Sequence, residues 1–378
     1  MNAVEDAARP HTARRAIRTT LHREVPGANG DPDLSRTGNG TETTMKAFMV
    51  EKYGDQAGMR AADVPDPQVG ADDVLVKIHA AGVNPLDLRI RNGDFKAFLP
   101  YRLPLVLGND LAGTVVRVGP SVTRFAVGDE VYARPDKDRI GTFADLIAVH
   151  QDDLAPKPAT LTMTEAASLP LVALTAWQAL VERARVQPGQ KVLVHAGAGG
   201  LGSIAVQLAK ALGAHVATTV STTKIGLVEE LGADVVVDYR TQDFEELLDG
   251  YDVVLDSLGG ENLAKSLRVL KPGGTAISVA GPPDPAFARE LGANPILRVA
   301  MTALSFKTRR SAKRHGVTYT FLFMKASGDQ LRELTPLIDS GRIRPVIDRV
   351  FPFEETLQAM EYVEKGRAKA GKVVVAMT

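Results

Sequence analysis

The sequence contains no cysteine, which excludes disulfides, thiolate nucleophiles and zinc sites built on thiolates. It also lacks net charge, because 45 basic residues balance 45 acidic ones, and so no long-range field would attract nucleic acid or an anionic membrane. No apolar run approaches the roughly 18 residues needed to span a bilayer. These absences predict a cytoplasmic protein whose partners are small molecules, with no nucleic acid and no membrane among them.

Apolar periodicity is missing from the first 44 residues, which mix Arg, Thr, Gly, Pro, Asp and Glu. Such a segment does not bury enough surface to offset the entropy of ordering it. We therefore expect residues 1–44 to be a disordered tail, with ordered structure from Met45. The alternative is an organelle-targeting peptide, which Arg14, Arg15 and Arg18 favour and the interspersed acidic residues disfavour.

The remaining chain shows two successive patterns, and a length of 378 residues favours two structural units. From Met45 to about Leu161, short β-rich runs alternate with turn residues, which predicts a mainly β domain. From about Thr164 to Met324, strand and helix patterns alternate, which predicts a doubly wound parallel sheet. Its predicted strands are Lys191–His195, His215–Val220, Asp234–Val237, Asp252–Leu255, Thr275–Val279 and Thr318–Phe323. Helical patterns around Ser327–Ser340 and Glu354–Glu364 and a strand Lys372–Ala376 end the chain.

A glycine-rich turn joins the strand pattern at Lys191–His195 to an amphipathic helix pattern. Gly197, Gly199 and Gly202 form the motif G-x-G-x-x-G, which gains meaning from this strand-to-helix context. Glycines let the backbone approach a pyrophosphate, and the positive end of a helix stabilises its charge. The turn is therefore a candidate dinucleotide site, comprising Gly197, Ala198, Gly199, Gly200, Leu201 and Gly202. A tight turn without such a role is the alternative.

The end of the next strand indicates which nicotinamide cofactor would bind. Enzymes that use NAD place Asp or Glu about 20 residues beyond the glycines to bind the ribose hydroxyls. Ser221, Thr222 and Lys224 stand there instead, and hydroxyls with an ammonium suit a 2′-phosphate. This predicts NADPH. The alternative is that Lys224 begins a helix with its side chain in solvent.

Six further motifs follow one another in the ordered part of the chain. They are AGVNPLD at 81–87, LGNDLAG at 107–113, VGDEV at 127–131, GTFAD at 141–145, DSLGG at 256–260 and GKVV at 371–374. In this order they resemble the medium-chain dehydrogenase/reductase superfamily, and within it the zinc-independent quinone oxidoreductase group that includes zeta-crystallin and alkenal/one reductases.

The resemblance implies a fold of class α/β, with a Rossmann doubly wound parallel sheet and a GroES-like β-barrel catalytic domain. The barrel domain would comprise residues 45–168 and 333–378, and the NADPH-binding Rossmann domain residues 169–332. Family members commonly form homodimers, in which the strand matching Val317–Phe323 often joins its symmetry mate. A homodimer is therefore expected here.

The resemblance also implies the chemistry. Zinc alcohol dehydrogenases carry Cys where Asn84 stands and Gly-His-Glu at positions 108–110, so no catalytic metal is expected. Without a Lewis acid, conjugated substrates that accept hydride easily are favoured. The expected function is NADPH-dependent reduction of quinones or α,β-unsaturated carbonyls (enones and enals). Two alternatives stay open: a trans-acting enoyl thioester reductase, and a crystallin-like protein that binds the cofactor without catalysis.

Several residue roles carry over by the same resemblance. Asn84 would donate to the substrate carbonyl or the cofactor ribose, or would simply form the turn before Pro85. Tyr101 is the candidate proton donor, because Phe95 stands where related enoyl reductases have Tyr; a packing role and proton delivery by solvent are the alternatives. His195 is interpreted as structural. The remaining candidate cofactor contacts are Thr175, Tyr239, Ser257, Ala280, Gly281, Phe323, Met324 and Lys372.

Overall fold

The computed structural model describes residues 43–96 and 99–377. The predicted tail and its targeting-peptide alternative lie outside the described residues, apart from Thr43 and Thr44. The first strand begins at Thr44, one residue before the predicted start of ordered structure at Met45.

The strands and helices of this part of the chain are as follows. The strands are β1 Thr44–Val50, β2 Met59–Pro65, β3 Asp73–Val83, β4 Leu105–Val106, β5 Asp110–Val118, β6 Glu130–Ala133, β7 Leu146–His150, β8 Leu154–Pro156, β9 Lys191–Val194, β10 His215–Val220, β11 Val235–Asp238, β12 Tyr251–Asp256, β13 Leu270–Ser278, β14 Thr318–Phe321, β15 Ile347–Pro352 and β16 Lys372–Ala376. The helices are α1 Pro85–Asn92, α2 Met163–Ala167, α3 Pro170–Trp177, α4 Gly200–Ala211, α5 Ile225–Glu230, α6 Phe244–Leu247, α7 Gly260–Val269, α8 Pro285–Glu290, α9 Pro295–Leu304, α10 Phe306–Arg314, α11 Gly328–Asp339 and α12 Thr356–Glu364.

Strands β9 to β14 form a six-stranded sheet in the order β11-β10-β9-β12-β13-β14, and every neighbouring pair is parallel. Its side chains alternate between two cores, as the pleat of a strand requires. Val192 and Val194 of β9 pack with α3, α4 and α11, whereas Leu193 packs with α7 and α9 on the opposite face. Helices therefore cover both faces, and the predicted doubly wound parallel sheet is confirmed.

The predicted strands of this sheet agree with the observed bounds to within two residues, with one exception. Strand β13 begins at Leu270, five residues before the predicted start at Thr275. The intervening Pro272, Gly273 and Gly274 are turn residues by composition. The sheet accommodates them as a register shift between Tyr251 and Val253 of the neighbouring strand, instead of ending there.

A seven-stranded sheet has the order β15-β16-β3-β5-β6-β8, and β7 also pairs with β3. It combines the N-terminal β-rich region with the end of the chain, because β16 pairs antiparallel with β3. These pairs form an open path among the described strands, so closure into a barrel stays a prediction. The domain boundaries also stay predictions. The one between residues 332 and 333 falls inside α11, which contacts both β8 and α3.

The start of β16 also touches the six-stranded sheet, and this contact positions the site described below. The Gly371 amide donates to the carbonyl of Ala198 in the glycine turn, 2.7 Å away. Gly371 has a φ of +65°, and a Cβ there would lie 1.9 Å from the Val346 carbonyl oxygen. Only glycine allows this approach. Within the described residues, no helix combines the length and apolarity needed to cross a membrane.

Candidate active site

A cavity of about 650 Å³ lies at the carboxyl ends of the parallel strands, where the strand order reverses between β9 and β12 and where such sheets bind ligands. Its wall combines the glycine turn with the end of β3 and the start of α1. The predicted site residues that line it are Asn84, Thr175, Ala198, Gly199, Gly200, Leu201, Gly202, Ser221, Lys224, Tyr239, Ser257, Ala280, Phe323, Met324 and Lys372. The structure thus brings most of the predicted site residues together.

The glycine turn places the first residues of α4 at the cavity, as the motif predicts. Not all of its glycines serve the same purpose. Gly199 and Gly200 line the cavity, whereas Gly197 does not, and a Cβ on Gly197 would lie 2.0 Å from the Thr218 hydroxyl oxygen. A Cβ on Gly202 would lie 2.1 Å from the Ala196 carbonyl oxygen. Gly197 and Gly202 are therefore needed to pack the turn itself.

Lys372, Asn84 and Asp110 form a buried network at the cavity wall. The Lys372 ammonium donates to the Asn84 amide oxygen and to the Asp110 carboxylate, the latter over 3.1 Å. The Asn84 amide nitrogen donates to the same carboxylate over 2.9 Å and to the Gly82 carbonyl over 3.3 Å. The Lys372 chain passes close to Gly200, where a Cβ would lie 2.8 Å from its Cδ.

This network argues against the expected role of Asn84 as a hydrogen-bond donor to the substrate. Both N–H groups of its amide are directed to protein acceptors, so it has no spare donor for a substrate carbonyl in this arrangement. The Lys372 ammonium has three N–H groups, and the described residues supply it with two acceptors. One N–H of Lys372 therefore has no hydrogen-bond partner among the described residues. Asp110 was not a predicted site residue, although it belongs to the quoted LGNDLAG motif.

Asp87 is a second buried carboxylate beside this network, and sequence reasoning missed it. Its oxygens accept from the Asn84 backbone N–H and from the Asn109 side-chain amide, each over 2.7 Å. Burial raises the pKa of Asp87 to about 6, although both hydrogen bonds oppose the shift. An available signal was the Asn84-x-x-Asp87 spacing at the start of α1, which resembles a capping box.

The far end of the cavity is lined by Ser221, Lys224 and the exposed ring of Tyr239. Thr222 is not part of the wall, because its hydroxyl donates to the carboxylate of Asp238 at the end of β11. That carboxylate also accepts from the Arg240 backbone N–H over 3.0 Å. The Thr222 hydroxyl, followed by the Arg240 bond, lowers the pKa of Asp238.

The structure does not bring Tyr101 to the cavity. Its hydroxyl donates to the Lys137 carbonyl over 2.8 Å, and burial raises the pKa of the phenol. Both observations disfavour the expected proton-donor role. Phe95 does line the cavity, with the Arg89 guanidinium 4.6 Å from its ring centre. Gly281 is also absent from the wall; its backbone N–H donates to the Ser278 hydroxyl oxygen over 2.7 Å.

Two family models match the chain. The alcohol dehydrogenase GroES-like domain matches residues 70–159, and the zinc-binding dehydrogenase model matches residues 231–375. Mouse NAD(P)H oxidoreductase RTN4IP1, mitochondrial, is 36% identical over 365 residues, which cover 90% of this chain and 91% of the relative. The chain therefore belongs to the medium-chain dehydrogenase/reductase family.

Within that family, the similar proteins include quinone and alkenal/one oxidoreductases. The NADPH-dependent alkenal/one oxidoreductase, chloroplastic, of Arabidopsis thaliana is 36% identical and covers 88% of this chain and 79% of its own. The quinone oxidoreductase of Coxiella burnetii aligns with a TM-score of 0.78 at 30% identity, covering 89% of this chain and 100% of its own. A mycobacterial protein solved with NADPH aligns with a TM-score of 0.74 at 31% identity, covering 88% of this chain and 100% of its own.

One of the two matching models is named for zinc binding. In this chain, Asn84 and Asn109 stand where zinc alcohol dehydrogenases have their Cys and His ligands. Across residues 43–96 and 99–377, no group of three His, Cys, Asp or Glu side chains is arranged to hold a metal ion. The cation nearest to Asn84 is instead the Lys372 ammonium.

Proposed function

We propose that this protein is an NADPH-dependent oxidoreductase that reduces quinones or α,β-unsaturated carbonyls by hydride transfer. The observation that carries the proposal is that one cavity combines the glycine turn, a hydroxyl and ammonium pair at Ser221 and Lys224, and an apolar wall. The names of the relatives, alkenal/one oxidoreductase and quinone oxidoreductase, support the same substrate classes.

The residues present fit NADPH. The pyrophosphate would lie at the N-terminus of α4, where unpaired backbone amides and the helix dipole stabilise negative charge. Lys372 lies against Gly200, so its remaining N–H would reach the same region. Ser221 and Lys224 would bind the 2′-phosphate. The hydrogen bonds from Thr222 and Arg240 keep the nearby Asp238 carboxylate ionised, so the Lys224 ammonium would have to offset its repulsion of the phosphate.

The apolar part of the wall suits a conjugated substrate. Leu86, Phe95 and Phe323 line it and would exclude water from the reacting carbon. When bound, NADPH supplies the hydride, and the protein must then orient the acceptor and stabilise the developing oxyanion. In the structure the Asn84 amide is occupied, so Asn84 is proposed to orient Lys372. Solvent is proposed to deliver the proton.

The test is a panel assay of NADPH oxidation with one enone, one enal, one quinone and one enoyl thioester, with products identified. Turnover of enones, enals or quinones is the expected result. Turnover of the thioester alone would favour the enoyl reductase alternative. Tight NADPH binding without any turnover would favour a non-catalytic protein. A lower KM for NADH than for NADPH would overturn the cofactor proposal.

We also propose a homodimer. Strand β14 is an edge of the six-stranded sheet, and open edges are normally covered. Nearby, α9 exposes a stripe of Ile296, Val299 and Ala303 that continues into Phe306, with Ile296 82% and Val299 70% exposed. Light scattering of the wild type and of Val299→Glu tests this. A wild-type monomer would contradict the homodimer, and a Val299→Glu dimer of unchanged affinity would contradict the assignment of α9 to its interface.

A cytoplasmic location is proposed as well, supported by the absence of cysteine from all 378 residues. Cell fractionation of the full chain tests it, and recovery in a membrane or organelle fraction would contradict it.

A further inference from the structure

His195 is almost completely buried, with 1% of its surface exposed. It follows β9 and begins the turn that carries the glycines. Its Nδ1 lies 3.1 Å from the Thr219 hydroxyl oxygen, and its Nε2 lies 2.8 Å from the Ser266 hydroxyl oxygen. The imidazole and the Phe244 ring pack in a T-shaped arrangement, with ring centres 4.7 Å apart. His195 thus joins the turn to both β10 and α7.

The positions of the hydrogen atoms on His195, Ser266 and Thr219 follow from which of their atoms donate and which accept. The Ser266 hydroxyl donates to the Asn262 carbonyl, 2.7 Å away. A hydroxyl has only one hydrogen, so Ser266 must accept from Nε2–H of His195. A neutral imidazole carries one N–H, which leaves Nδ1 as an acceptor. Nδ1 therefore accepts from the Thr219 hydroxyl, whose own oxygen accepts the Ala196 backbone N–H over 3.2 Å.

This chain of hydrogen bonds ends at the most constrained residue of the turn. Ala196 has a φ of +53°, a left-handed conformation that costs a residue with a Cβ about 1–2 kcal/mol. Ala196 and Thr219 both line the cavity. Burial lowers the pKa of His195 to about 4, although the Asp256 charge opposes the shift. The imidazole is therefore neutral at physiological pH, as the donor assignment requires.

We propose that His195 is a positioning residue for cofactor binding. Through Thr219 it fixes the Ala196 N–H, and it thereby holds the phosphate-binding turn in the conformation that presents α4 to the cofactor. This inference rests on the proposed function, since it concerns the binding of NADPH. It goes beyond the proposed function because it assigns a specific hydrogen-bonding role to His195, which does not line the cavity.

The main test is Thr219→Val, which removes the hydroxyl at nearly constant volume and avoids deleting the buried ring. We expect the Kd and KM for NADPH to rise about tenfold, the effect of one lost hydrogen bond of ordinary strength. The KM for the enone should not change. Thr219→Ser, which restores the hydroxyl, should return the Kd to the wild-type value. Thr356→Val is the matched control, because it removes a buried hydroxyl that is bonded to the Phe353 carbonyl and does not line the cavity.

A second measurement does not depend on activity. Nitrogen NMR shifts distinguish the two neutral tautomers, and His195→Phe identifies the His195 signals among the seven histidines of the chain. We expect a neutral Nε2–H tautomer at pH 6. An Nδ1–H tautomer, or a protonated ring at that pH, would overturn the proposal.

The outcomes separate this inference from the proposed function. If the wild type fails to bind NADPH, the proposed function fails and this inference fails with it. If the wild type binds NADPH and Thr219→Val binds it equally well, only the inference fails. If Thr356→Val weakens NADPH binding as much as Thr219→Val does, the effect is one of general stability and the positioning role is refuted.

Discussion

Replacing Gly202 by Ala should separate the packing of the phosphate-binding turn from its chemistry. The added Cβ would lie 2.1 Å from the Ala196 carbonyl oxygen and 2.7 Å from the Gly197 Cα. Both obstacles are backbone atoms, which no side-chain rotation can move away. Because Cβ contacts under 3.0 Å essentially do not occur, the Ala196 carbonyl must move by about 1 Å.

The size of the effect follows from that displacement. Overpacking of this kind lowers the free energy of unfolding by about 1–3 kcal/mol. A misplacement of about 1 Å in groups that position a substrate can cost about 100-fold in rate, and we expect an effect of this size on the binding of the cofactor. We therefore expect Gly202→Ala to fold with reduced stability and to raise the Kd for NADPH about 100-fold. Fluorescence titration with NADPH and denaturant unfolding measure the two effects.

Two other glycines provide matched controls. A Cβ on Gly199 would come no closer than 3.3 Å to the Ala196 carbonyl oxygen, so Gly199→Ala should keep most of the wild-type stability. Gly226 lies in α5 with nothing within 4 Å of an added Cβ, and Gly226→Ala should stabilise the protein by about 1 kcal/mol. Gly226 does not line the cavity, so the reasoning is refuted if Gly202→Ala binds NADPH as tightly as Gly226→Ala does.

Three further predictions concern buried polar groups. Asp87 has a raised pKa of about 6, so the folded state binds its proton first and becomes more stable as the pH falls from 6 to about 4. His195 has a lowered pKa of about 4, so the unfolded state binds its proton first and the folded state becomes less stable as the pH falls from 6.5 to about 4. Asp87→Asn should leave the His195 effect uncompensated, so that stability falls by about 2.4 kcal/mol more than in the wild type between pH 7 and pH 4; identical denaturant-unfolding profiles would contradict this. Lys372→Met should lower the free energy of unfolding by about 3–5 kcal/mol, because Asp110 loses its cation, and adding Asp110→Asn should recover part of that loss in a double-mutant cycle. Tyr101→Phe should keep the wild-type kcat and lose about 1 kcal/mol of stability with its bond to Lys137; a large loss of kcat would restore Tyr101 as a proton donor.

The structural features that the sequence predicts correctly depend on short-range patterns. Strand β10 begins and ends at the predicted residues His215 and Val220, and β16 at Lys372 and Ala376. Each of these features is set by the periodicity of a few neighbouring residues. The glycine turn belongs to the same group, because its strand, glycines and helix are contiguous.

Sequence reasoning was incomplete where a hydrogen bond joins distant segments. Asn84 was expected to donate to the substrate or to the cofactor ribose, yet its amide N–H groups are directed to Asp110 and Gly82, and its oxygen accepts from Lys372, 288 residues away. Thr222 was expected to contact the cofactor, yet Asp238 of the neighbouring strand accepts from its hydroxyl. Tyr101 was expected in the cavity, yet the carbonyl of Lys137 accepts from its phenol. In each case the residue type predicted a hydrogen-bond donor, but an acceptor elsewhere in the chain determined where that donor points.

The parallel sheet with helices on both faces and its glycine turn could be predicted from the amino-acid sequence, since hydrophobic periodicity and glycine spacing act over a few residues. Which polar groups keep a free hydrogen-bond donor near the cavity depends instead on how distant segments pack together. The pairing of β16 with β3 and the contact of Gly371 with the glycine turn bring Lys372 to Asn84 and Asp110. That pairing depends on packing across the whole chain, which no local pattern encodes.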